Sequence, residues 1–115
     1  MKLRNILSST SFWQLNKTLV LELGIDTALF LTDLSSRQDY WEIKGKLDKD
    51  GFFFINRDEI KEETTLSHSK QNKATKTLVE LNILDVKKVG IPSKNHYKIN
   101  VSKLNKYILN LVNNG

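Results

Sequence analysis

The stretch Leu66-Ser67-His68-Ser69-Lys70-Gln71-Asn72-Lys73-Ala74-Thr75-Lys76-Thr77-Leu78-Val79-Glu80-Leu81-Asn82-Ile83-Leu84 decides the fold. Ala74, Leu78 and Leu81 recur at steps of four and three, which return to one face of a helix. Ser67 stands where a hydroxyl accepts the orphan N–H groups of a first turn. Asn82 stands where the chain must stop, and asparagine is second only to glycine in the left-handed cap. The spacing predicts a helix from Ser67 to about Leu81, with Gln71 bordering its apolar stripe and Ile83 and Leu84 re-entering the core. Away from the stripe lie His68, Ser69, Asn72, Lys73 and Lys76, each able to hydrogen-bond, while Lys70 lies nearer the buried edge.

On the upstream side, Asn56 followed by Glu59 has the spacing of a capping box and opens a shorter helix over Arg57 to Thr65. On the downstream side, Asp85 to Val89 and His96 to Ile99 alternate as strands across the turn Gly90-Ile91-Pro92-Ser93. Two helices joined by a short turn and followed by a hairpin make a winged helix-turn-helix, an α+β fold that is mainly α. In that layout the second helix enters the major groove of duplex DNA and the two-stranded wing touches the flanking backbone. The expected DNA contacts are Ser67, His68, Ser69, Lys70, Asn72, Lys73 and Lys76 on the helix. On the wing they are Lys87, Lys88, Lys94, His96 and Lys98, which supply charge to phosphates and fix register without reading sequence.

The outer segments complete one domain over residues 12–100, preceded by an N-terminal arm over residues 1–11 and followed by a C-terminal helix over residues 101–115. Asn16 and Gly24 bracket a short helix, and Asp26 caps a second, in which Ala28, Leu29, Leu31 and Leu34 face the core. The segment from Ser35 to Leu47 reads either as more helix or as a loop with a helical turn. Asp48-Lys49-Asp50-Gly51 is a turn before a short buried strand, Phe52-Phe53-Phe54-Ile55. Asn100 or Ser102 caps the final helix. Its stripe of Val101, Leu104, Ile108 and Leu111 either covers the core or pairs with a copy of itself as a homodimer seam.

The net charge of +5 over 115 residues is local. Met1 to Leu66 carry a balance of −2, whereas Ser67 to Lys98 carry seven lysines against Glu80 and Asp85, a balance of +5. A localised basic patch is the electrostatic footprint of a polyanion partner. No cysteine occurs, which excludes disulfides and thiolate metal sites and makes the cytoplasm the expected location. Ser8, Ser9 and Thr10 interrupt any export signal, and no apolar run approaches the roughly 18 residues of a membrane helix.

Catalytic readings find little support. Glu59, Glu62 and Glu63 are helical carboxylates expected to face solvent, with no nucleophile, base or oxyanion motif beside them. Asp48-Lys49-Asp50-Gly51 opens like a calcium loop, yet the further acidic positions and the closing glutamate are misplaced. His68 and His96 are isolated, and no glycine-rich phosphate loop exists. No enzyme activity, metal or cofactor is expected. Trp13, Trp41 and Phe52 to Phe54 lie outside the basic segment and are expected in the core, rather than as stacking platforms for single-stranded nucleic acid.

Leu23-Gly24-Ile25-Asp26-Thr27-Ala28-Leu29-Phe30-Leu31, Asp50-Gly51-Phe52-Phe53-Phe54, Leu66-Ser67 leading to Leu78-Val79-Glu80-Leu81-Asn82-Ile83-Leu84, and Gly90 through Asn100 together carry a family resemblance. From Phe12 to Asn100 the chain resembles the winged-helix N-terminal domains of bacteriophage and plasmid replication proteins, the replisome-organiser and initiator group of low-GC bacteria. Asn82 stands where that group commonly has glycine, and Gln71 where it has an aliphatic residue. The resemblance implies binding of origin DNA, with replication proteins as further partners. It also implies either an excised N-terminal domain or a compact stand-alone regulator, since transcriptional regulators share the pattern. The rival expectation is a protein-interaction module that uses the same fold without DNA.

Overall fold

The computed structural model describes residues 13–114, so the arm over residues 1–11 and Phe12 lie outside the described residues. Among the described residues, five helices pack with a three-stranded antiparallel sheet: α1 (Lys17–Leu23), α2 (Ile25–Ile43), β1 (Phe53–Phe54), α3 (Arg57–Thr64), α4 (His68–Glu80), β2 (Leu84–Val89), β3 (Lys94–Ile99) and α5 (Val101–Asn114). The arrangement is a winged helix-turn-helix.

Helix starts follow the sequence signals closely. Asn16 Oδ1 accepts the Leu19 N–H at 3.0 Å to open α1, and Ser67 Oγ accepts the Lys70 N–H at 3.2 Å to open α4. Asn100 Oδ1 accepts the Lys103 N–H at 3.0 Å, which settles Asn100 as the cap of α5. Asn82 adopts φ 61°, and the next amide, Ile83 N–H, bonds back to Leu78 O at 3.0 Å. The left-handed turn after α4 thus redirects the chain straight into β2.

Three expectations need correction, and one open alternative is decided. Asp26 does not cap α2, because α1 and α2 abut at Gly24, whose φ of 86° turns the chain within one residue and leaves Asp26 inside the first turn. The ambiguous segment after Ser35 continues α2 as far as Ile43. Helix α3 closes one residue early, with Thr65 in the left-handed conformation at φ 67°. The capping box is only half formed: Asn56 Oδ1 accepts from the Asp58 and Glu59 amides, but the Glu59 carboxylate turns to Arg37.

The sheet order is β1-β3-β2, so the wing is broader than the hairpin alone. Phe53 pairs with Tyr97 and Phe54 with His96, while Val86 lies opposite Tyr97 on the other side of β3. Strand alternation sends Phe53, Tyr97, Leu84 and Ile99 inward. There the Tyr97 ring meets Phe30 of α2 edge-on, with centroids 6.2 Å apart. Phe53 is buried as expected, but Phe54 and Trp13 are about two-fifths exposed and Trp41 and Phe52 are half-buried, so the aromatic run does not enter the core as a block.

Beneath the turn, Ala74, Leu78 and Gln71 of α4 pack on α2 and α3. Gln71 does not merely border the stripe: it is buried, and its amide nitrogen donates to Arg57 O and Leu66 O, each at 3.0 Å. Helix α5 has no buried residue. Leu104 and Ile108 from the expected dimer seam lie against the chain's own core, Val101 is exposed, and Leu111 faces a groove shared with Leu21 of α1. Helix α5 rests on the core through the partly buried Leu104, Tyr107 and Ile108.

Glu59 and Glu63 do not simply face solvent. Arg37 reaches from α2 to Glu59 at 3.1 Å and to Glu63, while its Nε donates to the buried Asp33 at 2.7 Å. Removing one partner of such a network leaves a desolvated charge unpaired. Arg37→Met should lower unfolding stability by about 3 kcal/mol, as read from urea denaturation, with the α2–α3 contact the first to loosen. A loss under about 0.5 kcal/mol would mean that the network acts as an ordinary surface pair.

Candidate nucleic-acid interface

Period-2 geometry divides the lysines of the wing between two faces. Lys87 and Lys88 are neighbours in β2, so their side chains leave opposite sides of the sheet. Lys88 shares its side with Val86, Tyr97 and Asn95, and these residues form the wall of an open cleft against α4. Arg57, Asn72, Thr75 and Lys76 form the facing wall. Lys94 stands at the rim, where the cleft meets the outer face of the sheet.

Helix α4 also presents a ridge away from the core. At 100° per residue, Ser69, Asn72, Lys73 and Lys76 fall on the arc opposite the buried Gln71, Ala74 and Leu78, and all four are exposed. Glu80 closes the ridge at its far end, which leaves the N-terminal two-thirds free of carboxylates. Asn72 and Lys76 of the ridge line the same cleft as Lys88 and Asn95, together with the apolar Phe54, Val79 and Val86.

Arg57 was absent from the residues marked by the sequence. It occupies the first position of α3, where its guanidinium donates to His68 O at 2.8 Å and to Asn72 Oδ1. The Asn72 amide is thus held from behind, with its NH₂ group turned away from the arginine. The one signal was position: an arginine directly after an N-cap asparagine, beside the turn that launches α4. Thr75 and Asn95 were missed as well, the first because it borders the apolar stripe and the second because it carries no charge.

The first turn of α4 is engaged within the protein. His68 Nε2 lies 2.7 Å from Asp58, Lys70 lies 3.8 Å from Asp26, and the Ser67 hydroxyl caps the helix. Ser67 and His68 brace the α3–α4 turn, and Lys70 reaches across to α2. Lys87, His96 and Lys98 occupy the outer face of the sheet. Lys87 pairs with Asp48 at 2.6 Å and Asp50 at 3.7 Å, and Lys98 donates to Asp50 O at 2.9 Å.

No family model matches the chain, and no curated protein matches it. A solved structure described as the N-terminal domain of a DNA binding protein superposes with a TM-score of 0.63 at 19% identity, over 86% of this chain and 80% of that one. At that identity the likeness is one of fold. Among the described residues, no cluster of three or more His, Asp or Glu side chains could hold a metal ion, and no helix is long and apolar enough to cross a membrane.

The Lys87–Asp48 pair gives the turn before β1 a titration signature. The Lys87 ammonium bonding to Asp48, together with the Phe52 and Asp50 amides, lowers the Asp48 carboxyl from 3.8 to about 2. A folded-state value below the unfolded one stabilises the native turn above the unfolded pKa, and that stabilisation is lost as pH falls from about 4 to about 2. Carboxyl NMR should find the Asp48 midpoint near 2, rising toward the ordinary aspartate range in Lys87→Met. An unmoved midpoint in the variant would show that the backbone amides alone hold it down.

Proposed function

We propose that this domain binds double-stranded DNA sequence-specifically and without catalysis, with α4 in the major groove and the cleft side of the wing on the flanking backbone. The supporting observation is the continuity of the Ser69-Asn72-Lys73-Lys76 ridge with Lys88 and Asn95 across the cleft, in the segment that carries the whole positive excess. A major groove about 12 Å wide admits one helix, and the N-terminal half of that helix meets the base edges. Asn72, oriented by Arg57, has the bidentate donor and acceptor geometry that matches adenine, and Lys73 and Lys76 suit guanine acceptors or phosphates.

The fold likeness to the N-terminal domain of a DNA binding protein supports the same reading. The sequence resemblance to replication initiators makes an origin of a phage or plasmid the favoured target class, with an operator in transcriptional control as its variant. In either role the site works by positioning and recognition alone.

Selection from random duplex DNA, sequenced after retention, should enrich a motif. Asn72→Ala and Lys73→Ala should each weaken motif binding by about 1 to 3 kcal/mol where the residue reads a base and relax preference at that position. Lys88→Ala should weaken all duplexes about equally and reduce the slope of log affinity against log salt by about 1. No enriched motif and no salt-sensitive binding would remove the proposal in favour of a protein-interaction module.

A further inference from the structure

The pairing of β1 with β3 brings into the basic segment an aromatic run that lies outside it in sequence. On the outer face of the sheet, Phe54 packs against His96 with ring centroids 5.8 Å apart, and Lys94 lies over the Phe54 ring at 5.2 Å. Beside them, Lys87 and Lys98 lie over Phe52 at 4.5 and 5.9 Å. The band continues around the edge of β1: Tyr40, more than half exposed, and Trp41 line a cleft with Phe54, under Lys44 and Lys46. Every lysine–aromatic pair among the described residues falls in this band. Such pairs ordinarily occur about once per 70 to 80 residues, so the clustering is a feature of the surface.

We propose that this outer face is a second nucleic-acid site, specific for single strands, which meets the α4 cleft only at Phe54 and Lys94. Unstacked bases present π-faces that stack on exposed rings, while cations between the rings hold the phosphates, and antiparallel sheets with outward aromatics serve this purpose. A duplex offers no free base face, so the same surface discriminates against it.

The charges facing the band set the path of the strand. Asp48 and Asp50 neutralise Lys87, and Asp85 lies across from Lys98 in register. Lys94, with no carboxylate in ion-pair distance among the described residues, lies over the Phe54 ring. Glu59 and Glu63 near Tyr40 are held by Arg37. The strand therefore runs along Phe54, His96 and Lys94, with phosphates toward the wing tip and away from the Asp48–Asp50 turn.

Fluorescence anisotropy with a labelled oligothymidylate of about 12 nucleotides tests this, beside a duplex from the selected motif. Phe54→Leu combined with His96→Ala should weaken oligothymidylate binding about tenfold, weaken duplex binding far less because Leu keeps an apolar side chain at the cleft rim, and leave the far-ultraviolet circular dichroism unchanged. Asn72→Ala combined with Lys76→Ala should do the reverse. Oligouridylate in the same assay distinguishes RNA from DNA as the strand, and a preference for either supports the site. Absent oligothymidylate and oligouridylate binding, binding indifferent to the Phe54–His96 variant, or equal loss in both double variants would overturn the proposal. Loss of duplex binding alone, with single-strand binding still dependent on Phe54, would remove the duplex reading and keep this one.

Discussion

The arrangement of the recognition surface depends on one buried amide. Gln71 donates from its side-chain nitrogen to Leu66 O in the α3–α4 turn and to Arg57 O at the start of α3. Leu66 O would otherwise sit beneath a helix without a donor, at a cost of about 1 to 3 kcal/mol, while Arg57 O takes Gln71 as a second donor beside its own bond within α3. By bonding to both, Gln71 fixes the angle at which α4 leaves the turn and the position of the Arg57 backbone. The Arg57 guanidinium then reaches back over the turn to His68 O and Asn72. The buried Gln71 side chain and the exposed Asn72 side chain, neighbours in sequence, are thus both tied to Arg57, one through its carbonyl and the other through its guanidinium.

A second constraint is the alternation of the sheet. Because β3 is central, Tyr97 and Ile99 can fill the core while His96 and Lys98 face outward from the same strand. Strand β1 is only two residues long, yet it is sufficient to place Phe53 inside and Phe54 outside. The addition of β1 converts a hairpin with one useful side into a sheet with two. Alternation therefore separates the wing lysines, with Lys88 at the cleft and Lys87 and Lys98 over Phe52.

Much of this fold was legible from residue type and spacing, and the parts that were not share a physical cause. Asn16, Ser67 and Asn82 act through their own backbone neighbours, so a local reading suffices for them. Gln71, Arg37 and Phe54 take their roles from partners 14, 22 and 42 positions away. A polar residue next to an apolar stripe reads as a border until the carbonyls beneath it are known. A glutamate three residues after an N-cap reads as the second half of a capping box until an arginine from another helix claims it. The division of the wing lysines was readable, since adjacent strand residues cannot share a face, but treating the basic segment as one patch hid it.

The charge distribution follows the same division. Glu59 and Glu63 would repel a polyanion if left free, and Glu62 and Asp58 stand on the same helix. Arg37 ties two of these carboxylates to α2, and His68 meets Asp58 at the start of α4. Lys87 does the reverse on the outer sheet, where its cation is spent on Asp48 and Asp50. Short-range pairing thus removes the wrong sign from one surface and part of the right sign from the other. Lys73, Lys76 and Lys88, in no ion pair among the described residues, border the α4 ridge and its cleft. An extended polyanion that follows them meets carbonyls, amides and ammonium groups along the N-terminal two-thirds of the helix, and reaches its first carboxylate at Glu80.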